Sequence, residues 1–493
     1  MRKISRRSFL AAGVAGAALD AIPFSVWIKD QAWAQGPRVR YSAYSTQGKA
    51  MLTKYQAAVT KMMNTSVTPE QNPLSWTFQW YTHFVKHPPD KTSELNRIYP
   101  TPSPQRTLAQ AMWSTCRPHA GGSGDFFLPW HRMYVYYFEL IVRQMSGDSS
   151  FTLPYWNYSN PAEAAIPPEF AVTTSSLYRS NRNPGVNTGS KIPANQVSLN
   201  VLTEQVYSPN GADQGFCANL NGGLHGNVHG WVGNGVGMGT VPWAANDPIF
   251  WMHHCNIDRL WASWNRGSCK NPGTSTWLNQ PYTFADANGN QVVATVTDFK
   301  DIAPLGYTYD AFESASCRPI IKINPAVLAA LAAEIKLANA PQRATLTPPP
   351  PPPPPAPRSR RAKRRPAATT TALSEKVKAL EPARSVYLVL KNIRSDVAPG
   401  VPYDVYLDLP AGTQPNRDLP NYVGTFSFFG AAMLVDSHAA MTPLNLSFDV
   451  TEQVKALAAK GELTPTPAVT IVPDGSAAAG ANPTIGQVQL VSQ

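Results

Sequence analysis

The sequence His225-Gly226-Asn227-Val228-His229 places two imidazoles four residues apart. On a helix they share one face and can bind a single metal. Gly226 lowers helix propensity inside that turn, so something other than propensity must favour it, such as close approach of a ligand or a side chain. A second run, Asn246 to Trp261, sets His253 and His254 among Ile249, Phe250, Trp251 and Met252. Imidazoles in such surroundings must be hydrogen-bonded or coordinated, because an unpaired buried polar group costs several kcal/mol. A third run, Phe126-Phe127-Leu128-Pro129-Trp130-His131-Arg132, again opens a helix on a histidine, and His119 precedes it across a glycine-rich loop. No carboxylate stands inside the His-x-x-x-His motif, which argues against a zinc protease of the His-Glu-x-x-His kind. All-imidazole sets suit copper, zinc, iron or nickel, and spacing alone does not choose among them.

These motifs must be carried by helices. Asp247-Pro248 is a helix start, with the helix running to about Trp264 and stopping near Gly267. A second helix is expected from Trp130 to about Met145, and a third from Asn324-Pro325 to about Leu337. Eight of the nine histidines lie before residue 345. Pro348 to Pro355 are consecutive prolines, followed by Arg358, Arg360, Arg361, Lys363, Arg364 and Arg365. This composition reads as an extended exposed linker, open to a trypsin-like protease. Beyond it, short runs such as Val386–Leu390, Tyr403–Leu409, Tyr422–Phe429, Leu444–Val450 and Ala468–Val472 alternate with turn residues, as in a small β-sandwich.

The net charge is +11, but the N-terminus and the linker carry most of it and leave about +2 for the rest. A nucleic-acid partner therefore loses its main support. The five cysteines form no Cys-x-x-Cys pair, and an odd number excludes complete intrachain pairing. Ser5-Arg6-Arg7-Ser8-Phe9-Leu10 resembles a twin-arginine export signal, with Ala32-Trp33-Ala34 as a cleavage site. The expected location is periplasmic or secreted, with no stable membrane association after cleavage.

Taken in order, Phe-Leu-Pro-Trp-His131-Arg, His225-Gly-x-Val-His229-x-Trp-Val-Gly and Asp-Pro-Ile-Phe-Trp-Met-His-His254-Cys-Asn-Ile-Asp-Arg-Leu-Trp resemble the type 3 copper proteins: tyrosinases, catechol oxidases and haemocyanins. The resemblance spans roughly residues 40–320. Tyr403-Asp-Val-Tyr-Leu-Asp and Tyr422-Val-Gly-Thr-Phe extend it to the shielding domain of latent polyphenol oxidases. It implies a mainly α fold, a four-helix-bundle dicopper core with long loops, plus a C-terminal β-sandwich. The expected divisions are a signal at 1–34, the dicopper domain at 35–345, the linker at 346–383 and the sandwich at 384–493.

The resemblance also implies the ligands: His83, His119 and His131 for one copper, and His225, His229 and His254 for the second. His254 is preferred to His253 because it stands four residues before Asp258. His83 is preferred to His87 because Trp76-x-x-Gln79-x-x-x-His83 resembles the family's approach to the first ligand, whereas His87 sits before two prolines. His438 is expected on the surface. Asn221 stands where plant relatives carry a glutamate, and Gly226 where tyrosinases often carry asparagine, so monophenol hydroxylation is weakened. Val241 aligns with a gate position, and an open pocket is expected. Cys116 is close to His119, but not at the family's usual offset for a thioether. The implied reaction is oxidation of catechols, with monophenols in question, by O2. Alternatives are an o-aminophenol oxidase, an oxygen carrier and a non-redox zinc protein. Phe426, Phe428 and Phe429 are candidates for a plug that keeps the enzyme latent until an activating protease acts. A small phenol is the expected partner, and self-association into a homo-oligomer stays open.

Overall fold

The computed structural model describes residues 36–86, 88–120, 123–233, 235–317, 324–350, 372–431 and 443–493. The export segment, His87, most of the linker and His438 lie outside these residues.

The helical part is built on α1 (Thr46–Met63), α2 (Trp76–His83), α3 (Phe127–Ser146), α4 (Gly215–Leu220), α5 (Gly226–Val232) and α6 (Ile249–Arg266). The local chemistry explains their ends. Ser45 and Ser75 cap α1 and α2 by accepting from the backbone N–H of Gly48 and Phe78. Gly147, at φ 74°, ends α3 in the left-handed conformation that glycine adopts without strain. Asp247 accepts from the N–H of Ile249 at 3.1 Å and pairs with Arg182 through both carboxylate oxygens at 2.7 and 2.8 Å. The helices centred on His131 and His253–His254 therefore form where expected. Both are buried along almost their whole length, so the charged side chains they carry, such as Arg132, Glu139 and Asp258, must be paired inside the core.

A buried charge network fixes α3 against α6. Arg132 pairs with Asp258, and Arg40 bonds Asp258 at 3.2 Å and Glu139 at 2.7 Å. Tyr307 and Tyr309 each donate to Asp258 at 2.6 Å. Burial alone would raise the Asp258 carboxyl, but Arg132 and Arg40 outweigh it and hold it below the usual range. Arg132 also lies over Trp261, 3.6 Å from the ring centroid. Its neighbour His131 and the residue one turn before Asp258, His254, are thereby held at fixed register.

Two small pairs, β1 (Arg38–Arg40) with β4 (Tyr307–Tyr309) and β2 (Pro281–Ala285) with β3 (Gln291–Thr295), flank the helices. Cys269 and Cys317 form a disulfide, while Cys116, Cys217 and Cys255 are free and buried.

The C-terminal unit is a two-sheet sandwich. One sheet has the order β10–β9–β12–β7 and the other β11–β8–β13–β5, with β6 also pairing β13. These strands are β5 (Ala326–Leu331), β6 (Ile335–Lys336), β7 (Gln342–Thr345), β8 (Val386–Arg394), β9 (Tyr403–Leu407), β10 (Tyr422–Phe426), β11 (Leu444–Asp449), β12 (Ala468–Pro473) and β13 (Thr484–Ser492). A helix, α7 (Thr451–Lys460), packs on the same core.

Two expectations are corrected here. Residues 324–337 are not a helix: they form β5 and β6, antiparallel to β13. The alanine- and leucine-rich run favours helix locally, but sheet pairing and burial of Leu328, Ala329 and Ile335 in the sandwich core override that preference. The boundary at 345 moves with them, because residues 326–345 are strands of the C-terminal sheets rather than the end of the helical domain.

Candidate metal centre

Five of the six expected ligands lie on helices or at their ends. His83 closes α2, His131 opens α3, His254 sits in α6, and His229 lies in α5. His225 ends a wider, π-type turn, Asn221–His225, that joins α4 to α5. Such a turn inserts an extra residue and re-aims the helix beyond it, and it is a frequent feature of functional sites. Gly223, at φ −92° and ψ −113°, breaks the helical geometry inside it. His119 comes from the loop before α3. α2 is pinned by Trp76, whose indole N–H donates to Asn246 Oδ1 at 3.0 Å, and by Trp80, which donates to the Pro242 carbonyl at 2.8 Å.

The six imidazoles are buried, and four of them are oriented by one device. The Nδ1 atoms of His83, His131, His225 and His229 face the carbonyls of Val241, Phe127, Asn221 and Met238 at 3.2, 2.8, 3.1 and 2.8 Å. A carbonyl only accepts, so each Nδ1 carries the proton and each Nε2 presents a lone pair. The Nε2 atoms of His83, His119 and His225 are buried with no hydrogen-bond partner. The Nε2 atoms of His229 and His254 face each other at 3.3 Å. Burial pushes the His119 and His131 pKa values down to about 4 and about 3, and burial, together with neighbouring imidazoles, also holds His83, His225, His229 and His254 well below the ordinary histidine value. Neutral, inward-facing, unpaired nitrogens without a carboxylate are the donor set that copper takes, and a bound ion relieves the cost of leaving them unpaired.

Two groups of donor atoms are close enough to hold an ion among the described residues: His225, His229, His253 and His254, and His83, Cys116 and His119. His131 adjoins the second group, with its Nε2 3.4 Å from Cys116 Sγ, and its ring stacks on His254 at 4.3 Å between centroids. The two groups are therefore contiguous. His253 differs from His254 in that its Nδ1 meets the Tyr158 hydroxyl at 3.1 Å. Spacing did not reveal how close Cys116 stands, its Sγ 3.3 Å from His119 Nδ1. Burial raises its pKa and keeps it a thiol, the poorly coordinating form.

The expected pocket residues are all beside the centre. Asn221 supplies the carbonyl that orients His225, and its side-chain oxygen is buried without a partner. Val241 supplies the carbonyl that orients His83 and is itself buried. Gly226 has no room for a side chain: a Cβ there would lie 2.2 Å from Ser427 Oγ.

That contact corrects the expectation of an open pocket. The segment after β10 lies on the centre. Phe429 stacks on His229 with centroids 3.8 Å apart and planes 9° apart, and it meets His225 and His119 edge-on at 5.4 and 5.6 Å. Gly430, at φ 77°, comes next and packs so tightly that a Cβ would fall 2.4 Å from His119 Nε2. The Ser427 N–H donates to the Gly222 carbonyl at 3.2 Å. Of the three candidate phenylalanines, Phe426 and Phe428 belong to the sandwich core, and Phe429 alone joins the helical one. Around this segment, Ser447 exchanges hydrogen bonds with Asn219 and accepts from the Gln214 N–H, and Asn227 donates to the Thr425 carbonyl.

Comparison with known proteins agrees with this geometry. The common central domain of tyrosinase matches residues 73–209 and 177–267, and the polyphenol oxidase middle domain matches 273–319. A domain of unknown function, DUF7868, matches 325–493. The chain is 32% identical to tyrosinase HcTyr1 of Hahella sp. (strain CCB-MM4) over 339 residues, covering 60% of this chain and 70% of that protein. It is 34% identical to the chloroplastic polyphenol oxidase A1 of Vicia faba over 218 residues, 37% of this chain and 36% of that one. Latent apple tyrosinase superposes with a TM-score of 0.60 at 21% identity, over 93% of this chain and 98% of the other. A functional unit of octopus hemocyanin superposes with a TM-score of 0.51 at 16% identity, over 92% and 99%. No helix among the described residues is long and apolar enough to cross a membrane.

Proposed function

Because this chain belongs to the tyrosinase and polyphenol oxidase family of binuclear copper proteins, we propose that it uses O2 to oxidise o-diphenols to o-quinones and is made latent. The observation that carries the reading is a set of buried, neutral imidazole nitrogens converging on one place, with an aromatic ring laid over them. His83, His119 and His131 would hold one copper, and His225, His229 and His254 the other. His254 is favoured over His253 by its contacts with His229 and His131 and by the engagement of His253 with Tyr158. When bound, the copper pair would supply the electron-transfer chemistry by which two catechols give up two electrons and two protons each and one O2 is reduced to two waters.

The residues of the chain do the rest. The backbone carbonyls of Val241, Phe127, Asn221 and Met238 hold the Nδ1 protons, so the inward nitrogens stay free of them. Phe127, Trp130, Tyr134 and Phe250 wall the centre and exclude water. The Phe429 ring lies face-on to His229, which is the arrangement a flat phenol would take there. Phe429 thus supports both the aromatic substrate class and the latency. Asn221 brings no carboxylate to accept a phenol proton, which supports catechols over monophenols. The arginine pair near the N-terminus supports export by the twin-arginine route.

The test is oxygen consumption by the copper-loaded protein, intact and as Phe429→Ala, with catechol, a matched monophenol and o-aminophenol. Catechol turnover is expected, with monophenol slow and preceded by a lag. Oxygen binding without turnover would replace the enzyme reading by an oxygen carrier. Lag-free monophenol oxidation would overturn the role given to Asn221, and faster turnover of o-aminophenol would reassign the substrate class.

A further inference from the structure

The chain order of the sandwich is unusual for a removable cover. One outer strand of each sheet, β7 and β5, comes from before the proline- and arginine-rich segment, whereas the strands they pair with come from after it. β5 runs against β13 from Ala326–Ser492 to Leu331–Val488, β6 continues on the same strand, and β7 runs against β12 from Gln342–Ile471 to Thr345–Ala468. The intervening residues are tied in as well. The N–H groups of Leu337 and Leu346 donate to the carbonyls of Pro483 and Pro467 at 2.9 and 2.8 Å, and Asn339 accepts from the Ala477 N–H at 2.8 Å. Leu328, Ala329, Ile335, Leu337 and Leu346 are buried in the sandwich core.

We propose that residues 324–347 are a strand-donating arm. It is covalently part of the helical half but structurally part of the cover, and it completes both sheets of residues 372–493. Without it β12 and β13 would become open edges, each matched in register to an extended segment, the geometry by which sheets capture a strand. A break in the chain between 348 and 371 therefore leaves two fragments that stay assembled, with Phe429 still on His229. Cleavage at the arginine cluster nicks the protein without uncovering the centre. Only a break between Cys317 and Ala326 separates the cover from the helical half, where the Cys269–Cys317 disulfide keeps the upstream end attached. The pairing of β5, β6 and β7 adds to the hydrogen bonds that Ser427, Ser447 and Thr425 already make with the helical half. Its consequence for activity rests on the latency proposed above.

Two full-length variants test this. One carries a site-specific protease sequence in place of residues 358–365, and the other carries it within 318–325. Each is cut, then examined by denaturing electrophoresis, by native size exclusion at micromolar and nanomolar concentration, and by catechol oxidation. The protein cut at 358–365 should give two bands but one native peak at the uncut position, even after dilution, with a rate within twofold of the uncut protein. The protein cut at 318–325 should separate on dilution and gain at least tenfold in rate. Separation of the first protein, or dissociation of both at the same dilution, would overturn the arm. If the first stays assembled yet gains activity, the arm stands and the latency reading fails.

Discussion

Replacing Phe429 by alanine tests the cover most directly. The side chain is 5% exposed and packs against three imidazoles. Burying a phenylalanine contributes about 1.5–3 kcal/mol, and a stacked ring adds about 0.5–1.5 kcal/mol. Phe429 thus favours the closed arrangement by about 2–4 kcal/mol. At about 1.4 kcal/mol per factor of ten, its loss raises the open fraction roughly 30- to 1000-fold. The lower end applies if the Ser427–Gly222 and Ser447–Asn219 hydrogen bonds keep the segment near the site. The assay is initial oxygen uptake with saturating catechol, expressed per bound copper so that loading does not enter. Phe426→Ala is the control: it removes a ring of equal size from the sandwich core and should lower stability without a comparable gain in rate. A copper-replete Phe429→Ala protein less than threefold faster than the parent, or a Phe426→Ala protein equally activated, would refute the assignment of Phe429 as the plug.

Three further outcomes are expected. Gly430→Ala should activate catechol oxidation as well, because its φ of 77° strains a Cβ that would also meet His119 Nε2; unchanged rate and melting temperature would contradict the tight approach. Asp258→Asn should cost about 3–5 kcal/mol in urea unfolding of the metal-free protein, since it leaves Arg132 buried without its counter-charge and Arg40 with Glu139 alone; a loss under about 1 kcal/mol would mean the network does not set the register of α3 and α6. The metal-free protein should also be acid-sensitive. His119 and His131 have folded pKa values near 4 and 3, below an unfolded value of about 6.5, so the unfolded chain binds protons first. Their contribution is complete above about pH 6.5 and is lost as pH falls toward 4, at about 1.4 kcal/mol per pH unit for each group. Urea midpoints between pH 7.5 and 4.5 after chelation measure this, and a flat profile would show that these imidazoles do not stay neutral in the fold.

The parts of the site legible in the sequence were those with a local signature. His131, His225, His229 and His254 stand in apolar runs whose spacing and flanking Pro129, Pro248 and Gly267 announce buried helices. Asn221, Gly226 and Val241 were found as positions, but their parts in the structure are played by backbone carbonyls and by a missing Cβ, which residue type does not disclose. The strands at 326–345 were misread because helix propensity is local and their pairing partners lie more than 120 residues away in β12 and β13. Sequence separation, here 48 residues, also hid the Cys269–Cys317 bond. Among Phe426, Phe428 and Phe429, alternation along a strand could not say which ring leaves the sandwich, because β10 ends at Phe426 and the chain then turns.

The contact of Phe429 and Gly430 with the imidazoles also imposes a sequence of events on maturation. With the segment seated, the Nε2 atoms of His83, His119 and His225 have no contact with solvent. A copper ion reaches them only before the cover closes or while it is lifted. Metal delivery and closure therefore compete in time, and a chain that completes its sandwich first must lift the segment again to take up its metal. The segment proposed to cover the centre would thus also gate the entry of copper.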